Sequence, residues 1–350
     1  MRLFHISHTD LDGYSCQLLT KEFFKTGFFL NANYGLEVKL SIKKVIELIK
    51  QLNTNDEILF LITDLNLTYQ ESKDLDSEIK KLKKDGYQIK LQVLDHHATG
   101  QKSAEKFDWY FLDLKRCAAK ITYDYLNEEF NGFSKEIDTW INPLINCVNA
   151  IDIWLEEEEQ NFEFGKVLLS MISRVREINN VLFADLNREL RLFLLKKAAT
   201  YISLENGNIK LDNDVHLLKK QFLNVDGIDD TIDNLSAKYL VNSLEDLKES
   251  LTVFYKEHKG LLTYTLGSIS IPANAFLKAN SDYGFFIDIG KKGNASFRAN
   301  GKVDVSLMAQ KLANGGGHIN ASGAKFEDFK ETIDYTEVKN YLQEKLKAIE

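Results

Sequence analysis

Cysteine, proline and long apolar runs are all scarce in this chain. Its three cysteines, Cys16, Cys117 and Cys147, stand far apart with no CxxC pair. Any disulfide scheme leaves one over, so they read as reduced core thiols rather than as a stapled framework. Only two prolines occur, one of them Pro143, and no internal repeat or low-complexity tract appears. No run of eighteen apolar residues exists, and Met1 to Tyr14 lacks the basic, apolar, small-residue character of a leader. Secretion and membrane insertion are unsupported, and a cytoplasmic location is expected. Positive charge is also in deficit, with 44 Lys and Arg against 52 Asp and Glu, a net charge of −8. A long nucleic acid is normally gripped by a broad basic field, so a short or small phosphorylated substrate is the better expectation.

What is present fits a globular protein of two lobes. Apolar residues make up 44% and charged residues 27% of 350 positions, more than one ordinary core accommodates. The first 150 residues alternate short apolar runs with amphipathic stretches, the pattern of strand-helix-strand units on a parallel sheet. Strands are predicted at about Leu3 to His8, Ile58 to Asp64 and Ile89 to Asp95. Helices are predicted at Tyr14 to Lys25, Ser41 to Leu52, Tyr69 to Lys84 and Ala118 to Phe130.

From Ile137 to Tyr201 the pattern is helical. Residues Ile202 to Glu249 are polar and ambiguous, with turns at Asn206-Gly207 and Asp226-Gly227. Alternation then sets in at Thr252 to Glu257, Leu261 to Leu266, Gly284 to Ile289 and Ala295 to Ala299, predicting a small sheet built largely of hairpins. Helices at Val305 to Ala313 and Tyr335 to Leu346 would cover it. The fold class is therefore α/β: a parallel-sheet domain over 1–155, a helical connector over 156–249, and a smaller mixed α/β domain over 250–350.

Each N-terminal strand runs into polar residues at its C-terminal end: His8, Asp10 and Asp12, then Asp64, then Asp95, His96 and His97. Ligands sit at that edge of open parallel sheets, so the three clusters are candidates for one site. Asp10 and Asp12 lie two apart before Gly13, which permits a tight exit into a helix, although such triplets are also common in solvated turns. Asp64 follows the apolar run EILFLIT and needs a partner to stay charged there, or else caps the next helix. Adjacent histidines beside an aspartate are preferred ligands of Mn-, Zn- or Fe-type ions. Asp152, in NCVNAIDIW, is an acid among apolar residues, either a ligand or a satisfied buried group. Together these groups make sense as a site for two metal ions a few ångströms apart, activating a water and clamping phosphate oxygens, with no nucleophilic serine or cysteine required. In the C-terminal part, the glycines of NGGGHINASGA suggest backbone N–H groups open to an anion, with His318 as a further donor. Arg174, Arg176, Arg188 and Arg191, interleaved with acids, read as a solvated face rather than a nucleic-acid track.

The order DxDG, strand-end Asp, DHH, later Asp and GGGH resembles the DHH phosphoesterase family with its DHH-associated C-terminal domain, over almost the whole chain. Within it, the likeness is greatest to nanoRNases (oligoribonucleases) and 3′-phosphoadenosine 5′-phosphate phosphatases. The resemblance implies two divalent ions, Mn²⁺ first, with Mg²⁺ or Co²⁺ as alternatives. It places His8, Asp10 and Asp64 on one ion and Asp12, Asp64, His96 and Asp152 on the other. Asp95 would orient His96, and His97 would face the substrate phosphate. Arg298 would clamp phosphate with Ser296 on the same strand face. Gly315, Gly316, Gly317, His318 and Asn320, with Ser322 and Gly323, would form the pocket wall. Many relatives carry the first-motif histidine four residues before the first aspartate, where this chain has Ile6. His8 is therefore assigned, with His5 as the alternative.

The function this implies is hydrolysis of phosphodiesters or phosphomonoesters in short RNA or DNA oligonucleotides or small nucleotides, in a cleft between the lobes. The alternatives are an inorganic pyrophosphatase of the same fold and a catalytically idle nucleotide sensor. No membrane partner is expected, and the choice between monomer and homodimer is open.

Overall fold

The structure is a computed structural model that describes residues 1–24, 26–179 and 182–349. The chain divides into two compact units, Met1–Val175 with Arg188–Leu218, and Arg176–Asn187 with Lys219–Glu350.

The first unit runs β1 (Arg2–Ser7), α1 (Leu11–Phe24), β2 (Phe28–Asn31), α2 (Leu36–Ile49), β3 (Glu57–Thr63), α3 (Tyr69–Lys84), β4 (Gln88–Asp95), the short α4 (Gln101–Ala104), β5 (Tyr110–Leu112), α5 (Ala118–Phe130), α6 (Lys135–Asp152) and α7 (Glu159–Ser173), with most of α8 (Ala184–Ala199) and α9 (Gly207–Leu223). Among the described residues its sheet has the order β2-β1-β3-β4-β5, parallel throughout. The sequence accounts for this layout. Alternate residues of β3 point to opposite faces, and both faces are buried: Phe60 and Ile62 join Val45, Ile49, Leu75 and Ile79 in one core, while Leu59 and Leu61 join Leu94 and Ile121 in another. A strand covered on both sides reads as the continuous apolar run EILFLIT.

Helix α3 spans the predicted residues. Thr68 and Glu71 form a capping box at its start, which satisfies N–H groups that have no partner inside the helix, and Lys81, Lys83 and Lys84 fill its last turn. The sequence reading missed β2 and β5, of four and three residues, too short to show a period. It began α1 three residues late, and the predicted end at Lys25 lies outside the described residues.

The expected connector over 156–249 is shared between the units. Helices α7, α8 and α9 lie mostly in the first, and α10 (Ile232–Glu245) lies in the second. The arginines of α8 do not form a solvated face. Arg188 is 4% exposed and Arg191 8%. Arg188 donates to the Phe29 carbonyl at 3.1 Å and lies over the Phe29 ring, and Arg191 donates to the Val175 carbonyl at 3.3 Å over the ring of Tyr14. Carbonyl and π acceptors replace water for both guanidiniums, which is how a charge tolerates such burial. Arg174 and Arg176 are exposed.

The second unit continues with α11 (Lys248–Leu251), β6 (Thr252–Tyr255), β7 (His258–Tyr264), α12 (Ser270–Ala279), β8 (Tyr283–Ile289), β9 (Asn294–Ala299), α13 (Val305–Ala313), β10 (Gly316–His318), β11 (Ala321–Lys325) and α14 (Tyr335–Ala348). Its sheet order is β10-β11-β9-β8-β7-β6. The expectation of hairpins holds for β6-β7 and β8-β9 but fails between β7 and β8, which are parallel. A parallel pair needs a crossover, and α12 provides it. The glycine-rich segment is itself a hairpin, β10-β11. Val305, Met308, Val338 and Leu342 cover one sheet face by packing on Phe285, Ile287 and Phe297. Among the described residues no helix is long and apolar enough to cross a membrane.

Candidate metal centre

Three strands deliver their ends to one level. Ser7 pairs with Thr63 and Thr63 with Leu94, so His8, Asp64 and Asp95 leave the sheet side by side. The chain goes from β1 outward to β2 and then back past β1 to β3, and the crevice at such a switch point is where open α/β sheets bind ligands.

The first motif is locked before it reaches any ligand. A Cβ on Gly13 would fall 2.4 Å from the His8 carbonyl oxygen, so only glycine allows the chain to enter α1 there. Ser7 Oγ donates to the Gly13 carbonyl at 2.9 Å, and Gly13 N–H donates to Asp10 Oδ1 at 3.0 Å. Asp10 Oδ2 lies 2.8 Å from His8 Nδ1. The loop after β2 steadies the same segment, since Asn31 donates to the His8 carbonyl at 3.1 Å and Thr9 to Asn33 Oδ1 at 2.7 Å. Asp12, in the first turn of α1, is fully buried, and both its oxygens accept from the start of α5, Ala118 N–H at 2.7 Å and Ala119 N–H at 2.8 Å. A helix N-terminus is a favourable place for a carboxylate.

Asp64 turns out of β3 with φ 57°, a left-handed conformation that costs a non-glycine residue about 1–2 kcal/mol. It is 1% exposed. Its Oδ1 lies 3.3 Å from His96 Nε2 and its Oδ2 3.6 Å from His8 Nδ1. Among the described residues Oδ2 finds no hydrogen-bond partner. His96 Nε2 also stands 3.7 Å from Asp12 Oδ2 and 3.6 Å from Asp152 Oδ2. Asp152 is the last residue of α6, where the helix dipole disfavours a negative charge.

His5 is not part of this cluster. It is fully buried, with Nδ1 2.8 Å from Thr20 Oγ1 and Nε2 2.8 Å from Thr63 Oγ1. Burial, helped by the charge of Arg188, lowers its pKa to about 3. Of the two candidate histidines, His8 is the one whose ligand atom lies within 4.8 Å of those of Asp10 and Asp64.

Asp95 acts differently from the expectation. Its Oδ1 accepts from the His96 backbone N–H at 2.8 Å, but the ring it engages is that of His97, at 2.7 Å through Nδ1. Tyr110 O–H donates to its Oδ2 at 2.6 Å. The short step from strand end to imidazole puts the neighbouring ring, not that of His96, within reach. With Nδ1 donating to Asp95, His97 Nε2 is left as an acceptor for Tyr34 O–H at 3.2 Å. The Tyr34 ring also packs on His8, centroids 4.9 Å apart. Tyr34 was missed in the sequence, where it lies in an unmarked turn after a strand too short to detect. Cys117 was also missed: its sulfur lies within 4.8 Å of ligand atoms of Asp12 and Asp152.

The electrostatics of the cluster suit a cation. Burial and the Asp64 charge push Asp12 up to about 8, and burial and the Asp12 charge push Asp152 to about 8. Burial and the Asp10 charge raise Asp64 well above the carboxylate range. Burial would lower His8, yet its hydrogen bond to Asp10 and the attraction of the Asp10 and Asp64 charges raise it to about 10; the same pairing with Asp10 overrides burial to hold that carboxyl at about 2. Carboxylates this close cannot all ionise unaided. With imidazoles among them and an orphaned oxygen on Asp64, the donor set fits Mn-, Fe- or Zn-type divalent ions.

In the second unit, the register aligns His318 with Ala321 and Ala321 with Arg298, while Gly316 aligns with Gly323 and Gly323 with Ser296. Arg298, Ser296, Gly316 and His318 therefore share one sheet face. Arg298 donates to Ser270 Oγ at 2.9 Å and to the Phe297 carbonyl at 2.8 Å. Asn320 Oδ1 accepts from Gly301 N–H at 2.9 Å, holding the neighbouring turn. Ser322 is a correction. By alternation it faces the other way, and it is buried with its hydroxyl on the Val305 carbonyl at 2.6 Å. The three glycines divide as well: a Cβ on Gly315 or Gly317 would fall 2.3 or 2.5 Å from a backbone oxygen, whereas one on Gly316 meets nothing within 4 Å.

No family model matches the chain. A curated protein of Helicobacter pylori named 3′,5′-cyclic-nucleotide phosphodiesterase is 42% identical over 98% of both chains. The Bacillus subtilis oligoribonuclease NrnB is 23% identical over 93% of this chain and 73% of its own length. A crystal structure of an uncharacterized Helicobacter pylori protein matches with a TM-score of 0.94 at 42% identity, covering 99% of each chain.

Proposed function

This chain belongs to the DHH family of phosphoesterases, a hydrolase family, and from that premise we propose that it cleaves the phosphodiester of small nucleotides, 3′,5′-cyclic nucleotides first and short oligoribonucleotides second. The names of these two relatives support that order, the cyclic-nucleotide enzyme at 42% identity and the oligoribonuclease at 23%.

The observation that carries the reading is the Asp64 carboxylate, buried between His8 and His96 with an oxygen that has no hydrogen-bond partner among the described residues. His8, Asp10 and Asp64 would hold one divalent ion, and Asp12, Asp64, His96 and Asp152 the other. When bound, such a pair supplies Lewis acidity that lowers the pKa of a water and neutralises charge on phosphate oxygens. The chain's own residues do the rest. The start of α5 fixes Asp12 through two N–H donors, leaving further lone pairs on both oxygens. Asp95 fixes the tautomer of His97, and His97 would face the substrate phosphate. Arg298 and His318, on one face of the second sheet, supply donors suited to a phosphate.

The test is a turnover panel in Mn²⁺ with cyclic mononucleotides, dinucleotides, longer oligomers, 3′-phosphoadenosine 5′-phosphate and pyrophosphate. Hydrolysis of cyclic nucleotides and dinucleotides, abolished by chelation, is expected. Faster cleavage of pyrophosphate than of any diester would assign the site to pyrophosphate, and tight binding without turnover in any metal would make the protein a sensor.

A further inference from the structure

Helix α6 ends in an arrangement that the fold alone does not favour. Leu155 N–H donates to the Ala150 carbonyl at 2.7 Å and Ile153 N–H to the Asn149 carbonyl at 3.2 Å. Between them Trp154 adopts φ 61°. In this type of helix stop the left-handed residue is usually glycine, because a Cβ there crowds the backbone. Here the position carries the bulkiest side chain of all, and that side chain remains 61% exposed. Burial of apolar surface is therefore a poor reason for it.

The ring is held in place. Its indole N–H donates to Glu156 Oε1 at 2.8 Å, and the Phe162 ring stands at 84° to it with centroids 5.1 Å apart. An indole has a single donor and no acceptor, so its hydrogen-bonding capacity is already used. What it still presents to solvent is π surface. Asp152, two residues back, places Oδ2 3.6 Å from His96 Nε2. Two residues of chain span at most about 7 Å, so the backbone of Trp154 lies within that reach of Asp152, the α6 residue that approaches His96. The other exposed aromatic there, Tyr34, already has its hydroxyl on His97 and its ring against His8.

We propose that Trp154 is a specificity-determining residue, a preset stacking platform for the nucleobase carried by the phosphate that is cleaved at the centre. The inference rests on the phosphodiesterase reading above and names the part of the substrate recognised beyond the phosphate. Every base has a π face, and the larger purine gains more from stacking. Holding the ring beforehand spares the cost of ordering it on binding.

The test compares Trp154→Gly, Trp154→Leu and Trp154→Phe with the parent protein, loaded with Mn²⁺, on adenosine and uridine 3′,5′-cyclic monophosphates. Trp154→Gly relieves the backbone strain, so its melting temperature is expected to match or exceed that of the parent. Its KM for the adenosine substrate is expected to rise about tenfold, equal to about 1.4 kcal/mol, with kcat within twofold and the purine preference lost. If Trp154→Gly melts lower, the other two variants decide: Phe keeps KM within threefold of the parent, while Leu, of similar bulk without a π face, raises it. Equal KM in Leu and Phe variants, or an unchanged KM in Gly, overturns the platform. Should the parent turn over no nucleotide at all, the phosphodiesterase reading has failed and the platform is read separately. AMP should then still quench tryptophan emission in the parent but not in Trp154→Phe, and emission unaltered by millimolar AMP overturns it.

Discussion

Asp64 Oδ1 lies 3.3 Å from His96 Nε2, a contact made in a left-handed turn at the end of a strand buried from Ile58 to Thr63. The fold thus accepts strain, burial and an unpartnered oxygen at one residue, a combination found where a site needs it.

Asp64→Asn should therefore lower both metal content and turnover, the latter beyond the roughly 10- to 100-fold typical of outer-shell changes. In chelator the same variant should melt above the parent, because it removes a carboxyl whose ionisation the buried cluster resists. Metal analysis and thermal melts check this together. Two ions per chain retained in the variant would refute the bridging role of Asp64.

His5 gives a pH dependence separable from the metals. Its pKa is 6.5 in an unfolded chain and about 3 in the fold. Above pH 6.5 both states are neutral and nothing is lost. As pH falls from 6.5 toward 3, the unfolded chain takes up a proton that the fold refuses, so stability drops. At 1.36 kcal/mol per factor of ten in proton affinity, the full displacement is worth on the order of 5 kcal/mol. Denaturant unfolding of parent and His5→Gln should diverge across that window, the parent losing more. Parallel curves would show that His5 titrates normally.

Arg298→Ala should raise KM roughly 10- to 100-fold, the scale of a lost charged hydrogen bond, and leave the melting temperature unchanged. Among the described residues its guanidinium donates to Ser270 Oγ and to the Phe297 carbonyl. Lysine should restore little, since it cannot present a planar fork. Full activity in Arg298→Ala would remove it from the substrate site.

The glycines of the β10-β11 hairpin should separate under alanine substitution. Gly315→Ala and Gly317→Ala force a Cβ into backbone oxygens and should lower the melting temperature by several degrees, at about 2–4 °C per kcal/mol. Gly316→Ala meets nothing and should melt like the parent while raising KM. An unchanged KM there would show that the segment serves only the hairpin.

The legible parts of this molecule were those with a strong local signature. Apolar runs ending in acids marked β1, β3 and β4, and the alignment of their ends put His8, Asp64 and His96 together as read. The choice between His8 and His5 was not legible, because it depends on which ring finds Thr20 and Thr63 across the core. Nor was the burial of Arg188 and Arg191: their acceptors are carbonyls and rings distant in sequence, invisible to a local charge pattern. The parallel β7-β8 pair was hidden for a related reason, since alternation describes a strand and not its neighbour. Ser322 went wrong by one step of alternation, which is enough to turn a side chain to the opposite face.

The bond from Ala118 to Asp12 joins positions 106 apart. During synthesis the first motif therefore emerges long before the N–H groups that brace it, and Asp152 later still. The nascent chain has no finished place for an ion until α5 and α6 have docked. On the two-ion reading, uptake of metal would have to await α5 and α6, and a chain halted before residue 118 would carry the motif without the N–H groups that brace it.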